Sequence, residues 1–263
     1  MKEILAKADE ADFVFIANTI DSYVNLSSDK AIREKIAIWS MNKSQQNRDA
    51  LCELLENEIR YAGSADLAYL LRWMRGKEPG VKSDEIIQDV AKKLKVKLRP
   101  LANLEAKLER LVKAVVERQF LEMTPEQQRE VLRTSGVGHT DLEAILSKLK
   151  LVGPAAVIPV IVAAAGREAA MRVMSGLVIS IVSKIVGREA AKQLLTVIAT
   201  RFPWWSEVLG PVAWGISIAW LGLEVQSAAY RKTVPLMLYL GLIGLRDGPE
   251  EGSSFWDEPE PQI

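Results

Sequence analysis

Asn103-Leu104-Glu105-Ala106-Lys107-Leu108-Glu109-Arg110-Leu111-Val112-Lys113-Ala114-Val115-Val116-Glu117-Arg118-Gln119-Phe120-Leu121-Glu122-Met123 is the clearest amphipathic stretch of the chain. Leu104, Leu108, Leu111, Val112, Val115, Val116 and Phe120 recur at three- and four-residue steps, and Glu and Lys stand opposite them. That period belongs to a helix with one face toward a core. Residues 46–61 read the same way, with Leu51, Leu55 and Ile59 on one stripe. Strand-like alternation is confined to Leu94-Lys95-Val96-Lys97-Leu98, a candidate short extended piece. The chain is therefore expected to be all-α.

Helix boundaries carry their own chemistry. Thr124-Pro125-Glu126-Gln127 puts Thr at an N-cap, Pro at the first helical position and Gln where it completes a capping box. Thr140-Asp141-Leu142-Glu143 repeats the logic, and Ser83 and Ser64 are further N-cap candidates with acids just behind them. Gly63, Gly76 and Gly136 stand where helix C-termini favour a left-handed residue.

After Lys150 the character changes. Leu151–Gly166, Val208–Leu223 and Thr233–Leu245 carry no charge across 16, 16 and 13 residues. Each is shorter than the roughly 18–20 residues of a spanning helix. They read as buried or membrane-adjustable helices, forming an apolar helical hairpin region in a multi-helix bundle. Gly166-Arg167-Glu168-Ala169-Ala170 recurs as Gly187-Arg188-Glu189-Ala190-Ala191, which implies a glycine break and a new helix at each. Three regions follow: a charged amphipathic part (1–150), an apolar part (151–245) and an acidic tail (246–263). The tail is expected to be disordered, with Phe255 and Trp256 as a small anchor.

Charge is balanced overall, 34 basic against 34 acidic residues, so no global field favours nucleic acid. Locally, eight basic and four acidic residues give 151–245 a net +4, and the tail carries −5. A single cysteine, Cys52, excludes an internal disulfide framework and fits a reducing compartment. The acid-bearing N-terminus does not read as a targeting segment, so a cytoplasmic location is expected, peripheral at or inserted into the inner membrane if the apolar region engages one.

Catalytic signals are sparse. One histidine, His139, lies in a Gly-Val-Gly-His-Thr turn, and Cys52 sits among leucines. No convergent metal ligands and no phosphate-binding glycine loop are present in the sequence, so no cofactor or metal is expected and no catalytic residue is assigned. Lys92, Lys93, Lys95, Lys97 and Arg99 form the densest basic run. It reads either as cations at a helix C-terminus or as a contact for an anionic surface.

The nine large apolar side chains between Val208 and Leu223 represent roughly 13–27 kcal/mol of burial. Trp214, Ile218 and Trp220 stand in that segment, Trp204 and Trp205 flank it, and Glu224, Tyr230 and Arg231 follow. Aromatic and basic flanks of this kind suit a membrane interface as well as a core.

The run Gly210-Pro211-x-x-Trp214-x-Ile216-Ser217-x-x-Trp220-x-x-x-Glu224, followed by Ala229-Tyr230-Arg231-x-Thr233-x-Pro235, resembles the C-terminal signature of the bacterial YaaW family. Glu85-Ile86-Ile87-x-Asp89-Val90-x-x-Lys93-Leu94-Lys95-Val96 and Met123–Gln127 are similar too. The resemblance implies kinship with uncharacterised proteins grouped with ubiquinol–cytochrome c chaperone-like proteins, and it carries no catalytic residues. Two functional readings stand beside it. One is a membrane-active effector that shields and releases an apolar hairpin over 208–245, with an anionic membrane as partner. The other is a protein-binding or assembly-chaperone-like module, oligomeric or not, with an enzyme of unrecognised type third.

Overall fold

The computed structural model describes residues 1–20, 26–62, 81–152, 156–186 and 228–258. The protein is all-α, with eleven α-helices and no strand among these residues. In chain order they are α1 (Lys2–Leu5), α2 (Glu10–Ile20), α3 (Leu26–Met41), α4 (Gln45–Ala62) and α5 (Ser83–Lys93). There follow α6 (Leu104–Leu121), α7 (Pro125–Thr134), α8 (His139–Val152), α9 (Val157–Val186), α10 (Ala228–Gly244) and α11 (Ser253–Asp257), with a 3₁₀ turn at Leu245–Asp247.

The amphipathic stretch forms α6, capped by Asn103, whose side chain accepts the Ala106 N–H at 2.8 Å. It is the hub of the bundle: α6, α9 and α10 pack on one another, with α5 against α6 and α10. α2, α3 and α4 form a second group, joined to the hub through α10, while α8 lies along α9. Leu111, Val112, Val115, Val116 and Phe120 of α6 enter a single core with Leu51 and Leu55 of α4, Val178 of α9 and Leu240 of α10. Phe255 and Trp256 of α11 join it, so that core draws on all three sequence regions.

α10 and α6 approach closely at Gly241. A Cβ on Gly241 would lie 2.6 Å from Val112 Cγ2 and 2.7 Å from the Leu108 carbonyl oxygen. A side chain there would force the two helices apart.

Thr124 caps α7 as its sequence dictates: its hydroxyl accepts the Gln127 N–H at 3.3 Å, and Gln127 accepts the Thr124 N–H at 2.9 Å. Gly136, at φ +83°, closes the other end, with Val137 N–H on the Leu132 carbonyl and Gly136 N–H on that of Arg133. This is the Schellman pattern.

Other boundaries differ from expectation. α5 has Lys82 at its N-cap, and Ser83 turns its hydroxyl toward Glu56 at 3.4 Å. α8 begins at His139, one residue before the expected Thr140 cap. The Leu94–Leu98 piece is not extended. Lys95 adopts φ +55°, so Val96 N–H reaches the Ala91 carbonyl at 2.8 Å and ends α5 in a Schellman turn built on a lysine. Ser64, Gly63 and Gly76 lie outside the described residues.

In the apolar region, Gly166 breaks α9 with φ +86° and ψ +169°, at the first Gly-Arg-Glu copy. The second copy at 187–191 lies outside the described residues. So does the Val208–Leu223 segment. Thr233–Leu245 forms the buried part of α10 and the following turn.

The tail requires a correction. Residues 246–258 are ordered, with α11 packed on α9 and with Phe255 and Trp256 buried edge-to-face at 4.9 Å. Composition predicted disorder because the segment is acidic and short of apolar residues. Two aromatic rings and a set of buried cations facing the acids reverse that balance.

Candidate functional site: a buried charged face under the C-terminal segment

The amphipathic period of α6 predicts a solvated polar face. The structure buries it: Lys107 is 6% exposed, Glu109 0%, Arg110 2%, Lys113 0% and Glu117 3%. Ionised groups withdrawn from water need matched partners, and α6 finds them on other elements.

At its N-terminal end, Glu105 accepts from Lys7 Nζ at 2.6 Å, and Lys107 donates to Asp84 at 2.6 Å. Glu109 accepts the backbone N–H of Glu250 at 2.9 and 3.2 Å. Burial pushes its carboxyl up to about 8, and the nearby Glu105 and Glu250 carboxylates add to the rise while Lys7 opposes it. Arg110 donates through Nε to Glu251 at 2.6 Å and also pairs with Glu258. Lys113 Nζ donates to the carbonyl oxygens of Phe255, at 2.5 Å, and of Glu258, and it lies 5.3 Å from the Phe255 ring centroid. Its ammonium thus sits at the negative end of α11. Further along, Glu117 Oε1 accepts the Ile158 N–H at 3.1 Å and so places a carboxylate at the positive end of α9.

A second network ties the tail to the N-terminal group. Asp12, fully buried, accepts from Tyr239 Oη at 2.8 Å and from Arg246 Nη2 at 2.9 Å. Burial raises its pKa, opposed by Arg246 and Tyr239.

The residues singled out from sequence distribute differently. Trp204, Trp205, Trp214, Ile218, Trp220 and Glu224 lie outside the described residues. Tyr230 is half-buried under Lys93, whose ammonium is 4.8 Å from its ring centroid, and Arg231 is exposed. Of the basic run, Lys92, Lys95 and Lys97 are exposed. Arg99 is drawn onto the tail, at 3.4 Å from Glu251 and in contact with Glu258. The run is therefore not one continuous free patch, because the tail takes its last member. Sequence reading missed Glu109, Arg110 and Lys113, whose burial depends on partners about 140 positions away. The available signal was complementarity between a −5 tail and these cations.

Cys52 is buried in α4, and burial pushes its thiol up to about 11, the state of a small core side chain rather than a nucleophile. Among the described residues no cluster of three or more His, Cys, Asp or Glu side chains is placed to hold a metal ion. What the α6 face does is hold helix ends and the C-terminal segment by charge.

The fold and this face define an all-helical bundle closed by an ionic clasp. The chain is similar to a UPF0174 protein of Helicobacter pylori strain J99, with 26% identity over 205 residues that cover 74% of this chain and 71% of that protein. No family model matches the chain, and no solved structure matches it.

Proposed function

We propose that this is a non-enzymatic, membrane-active protein: a helical bundle that shelters apolar helices and releases them to an anionic bilayer at the cytoplasmic face of the inner membrane. The observation that carries the reading is α9. It is the one described helix long and apolar enough to cross a membrane, and two-thirds of its most apolar stretch is buried within the bundle. Beyond the Gly166 break its second arm runs through Val186, twenty residues or about 30 Å, the thickness of a hydrocarbon core. Arg167 and Arg172 stand near one end of that arm and Lys184 near the other, positions from which long cations reach headgroups. The apolar hairpin 208–245, with Trp214, Ile218 and Trp220 in one arm and α10 as the other, would follow α9. Kinship with the YaaW family belongs to the same proposal.

The test is fluorescence of Trp214 and Trp220 with lipid-attached quenchers on anionic vesicles, together with release of an entrapped dye. Quenching and release are expected. Their absence at neutral and mildly acidic pH would leave the second reading, a protein-binding module. That reading is favoured by a groove of about 520 Å³ between α2 and α3, lined by Val14, Ala17, Ile36 and Met41, over the buried, unpaired Ser40 hydroxyl.

A further inference from the structure

We propose that the groove between α6 and α9 is a peptide-binding site for an acidic segment bearing an adjacent aromatic pair. Residues 249–258 fill it in cis as a removable strap, and α9 stays in the core while they do. The proposal rests on the membrane reading for its purpose, but not for its chemistry.

The strap is recognised as a bound peptide is, through main chain and side chains together. Glu109 takes a backbone N–H, Lys113 takes two backbone carbonyls, Arg110 and Arg99 take the carboxylates of Glu251 and Glu258, and Asn103 Nδ2 donates to Glu250 at 2.8 Å. Phe255 and Trp256 supply the apolar anchor, a division of labour in which rings give affinity and charges give register. The segment crosses α9, where Arg167 Nη2 reaches Ser253 Oγ at 3.4 Å.

It is also built to swing. Gly248 (φ +99°) and Gly252 (φ +58°) flank Pro249, Glu250 and Glu251, and a Cβ at either glycine would meet nothing within 4 Å, so these residues mark turns of the chain and not tight packing. Its outer ion pair is shallow, with the Arg99 and Glu258 side chains both 46% exposed, and is weakened by salt. Removing the strap strips Arg99, Arg110 and Lys113 of these partners. Their charge then adds to that of exposed Lys92, Lys95 and Lys97 at the end of α5. Phosphate headgroups of an anionic surface offer those cations the same chemistry as the strap carboxylates, so lipid and strap compete for one site.

The test uses the full chain carrying Glu251→Lys and Glu258→Lys, both at partly exposed positions, followed by amide hydrogen exchange without lipid. Loss of two charge-assisted contacts is expected to speed exchange about tenfold or more at 253–258 and along α9, with α4 unchanged. A synthetic peptide of residues 246–258, added in excess, should slow it again. Unchanged exchange at 253–258, an equal rise in α4, or no response to the peptide would each overturn the strap. Flotation of the same variant on anionic vesicles separates the two ideas. A variant that opens but does not float removes the membrane reading and leaves the binding site. Equal flotation of both proteins with unchanged exchange removes the strap alone.

Discussion

Glu109 shows how much a single position can set. Its carboxyl is fully buried, has Glu105 on its own helix, Glu250 on the tail and Lys7 just past α1 nearby, and is pushed by burial up to about 8 from 4.5. A folded-state pKa above the unfolded one means that the fold holds a proton the unfolded chain gives up. The contribution of Glu109 to stability is therefore complete below pH 4.5 and lost as pH rises through about 8. Asp12, also raised by burial, acts in the same direction at a separate site. Glu109→Gln keeps an oxygen for the Glu250 N–H and removes the titration. Its thermal midpoint should fall less between pH 5 and pH 8 than that of the unchanged protein, and parallel pH curves would show that Glu109 is ionised in the fold. None of this was visible at residue 109 in the sequence, where a glutamate opposite a leucine stripe reads as solvated.

At the scale of the element, local chemistry was legible wherever it was local. The Thr124-Pro125-Glu126-Gln127 cap closes within four residues, so its reading needed no tertiary knowledge, and the structure bears it out. Thr124→Ala should lower stability by about 0.5–2 kcal/mol, read from the urea midpoint, while an unchanged midpoint would mean that water replaces the hydroxyl at no cost. Ser83 and Thr140 misled because each lies inside the helix that it was expected to cap: α5 opens at Ser83 itself, with Lys82 at the N-cap, and α8 opens at His139. Lys95 misled because a left-handed lysine has no sequence signature; the chain makes there the turn that a glycine normally makes. Contacts between elements are a harder case. Gly241 sits in a buried helix where alanine has the better propensity, yet Val112 and the Leu108 carbonyl leave no room. Gly241→Ala should destabilise by about 1–3 kcal/mol, despite roughly 1 kcal/mol of helix propensity in its favour. A gain in melting temperature would show that α6 and α10 can separate freely.

For the whole molecule, class was readable and closure was not. A 3.6-residue period along residues 46–61 and 103–123 pointed to the all-helical class; of the charge-free runs, Thr233–Leu245 lies inside and Leu151–Gly166 does so only in part, with Leu151 exposed, while Val208–Leu223 lies outside the described residues. The ordered tail escaped because its partners, Arg110 and Lys113, read as surface residues of another helix, and pairings across so much sequence leave no periodic trace. The same separation bears on how the molecule is made. Lys113 and the Phe255 carbonyl that accepts its hydrogen bond are 142 positions apart, which at about 5–20 residues per second of synthesis is roughly 7–28 s. Throughout that interval Arg110 and Lys113 have been made and their tail partners have not, so the ionic closure can form only at the end of synthesis. A chain interrupted before residue 250 would therefore lack both the last two rings of its core and the acids that seal it, and quality control would meet it as a cationic, aromatic-accepting groove still waiting for its own ending.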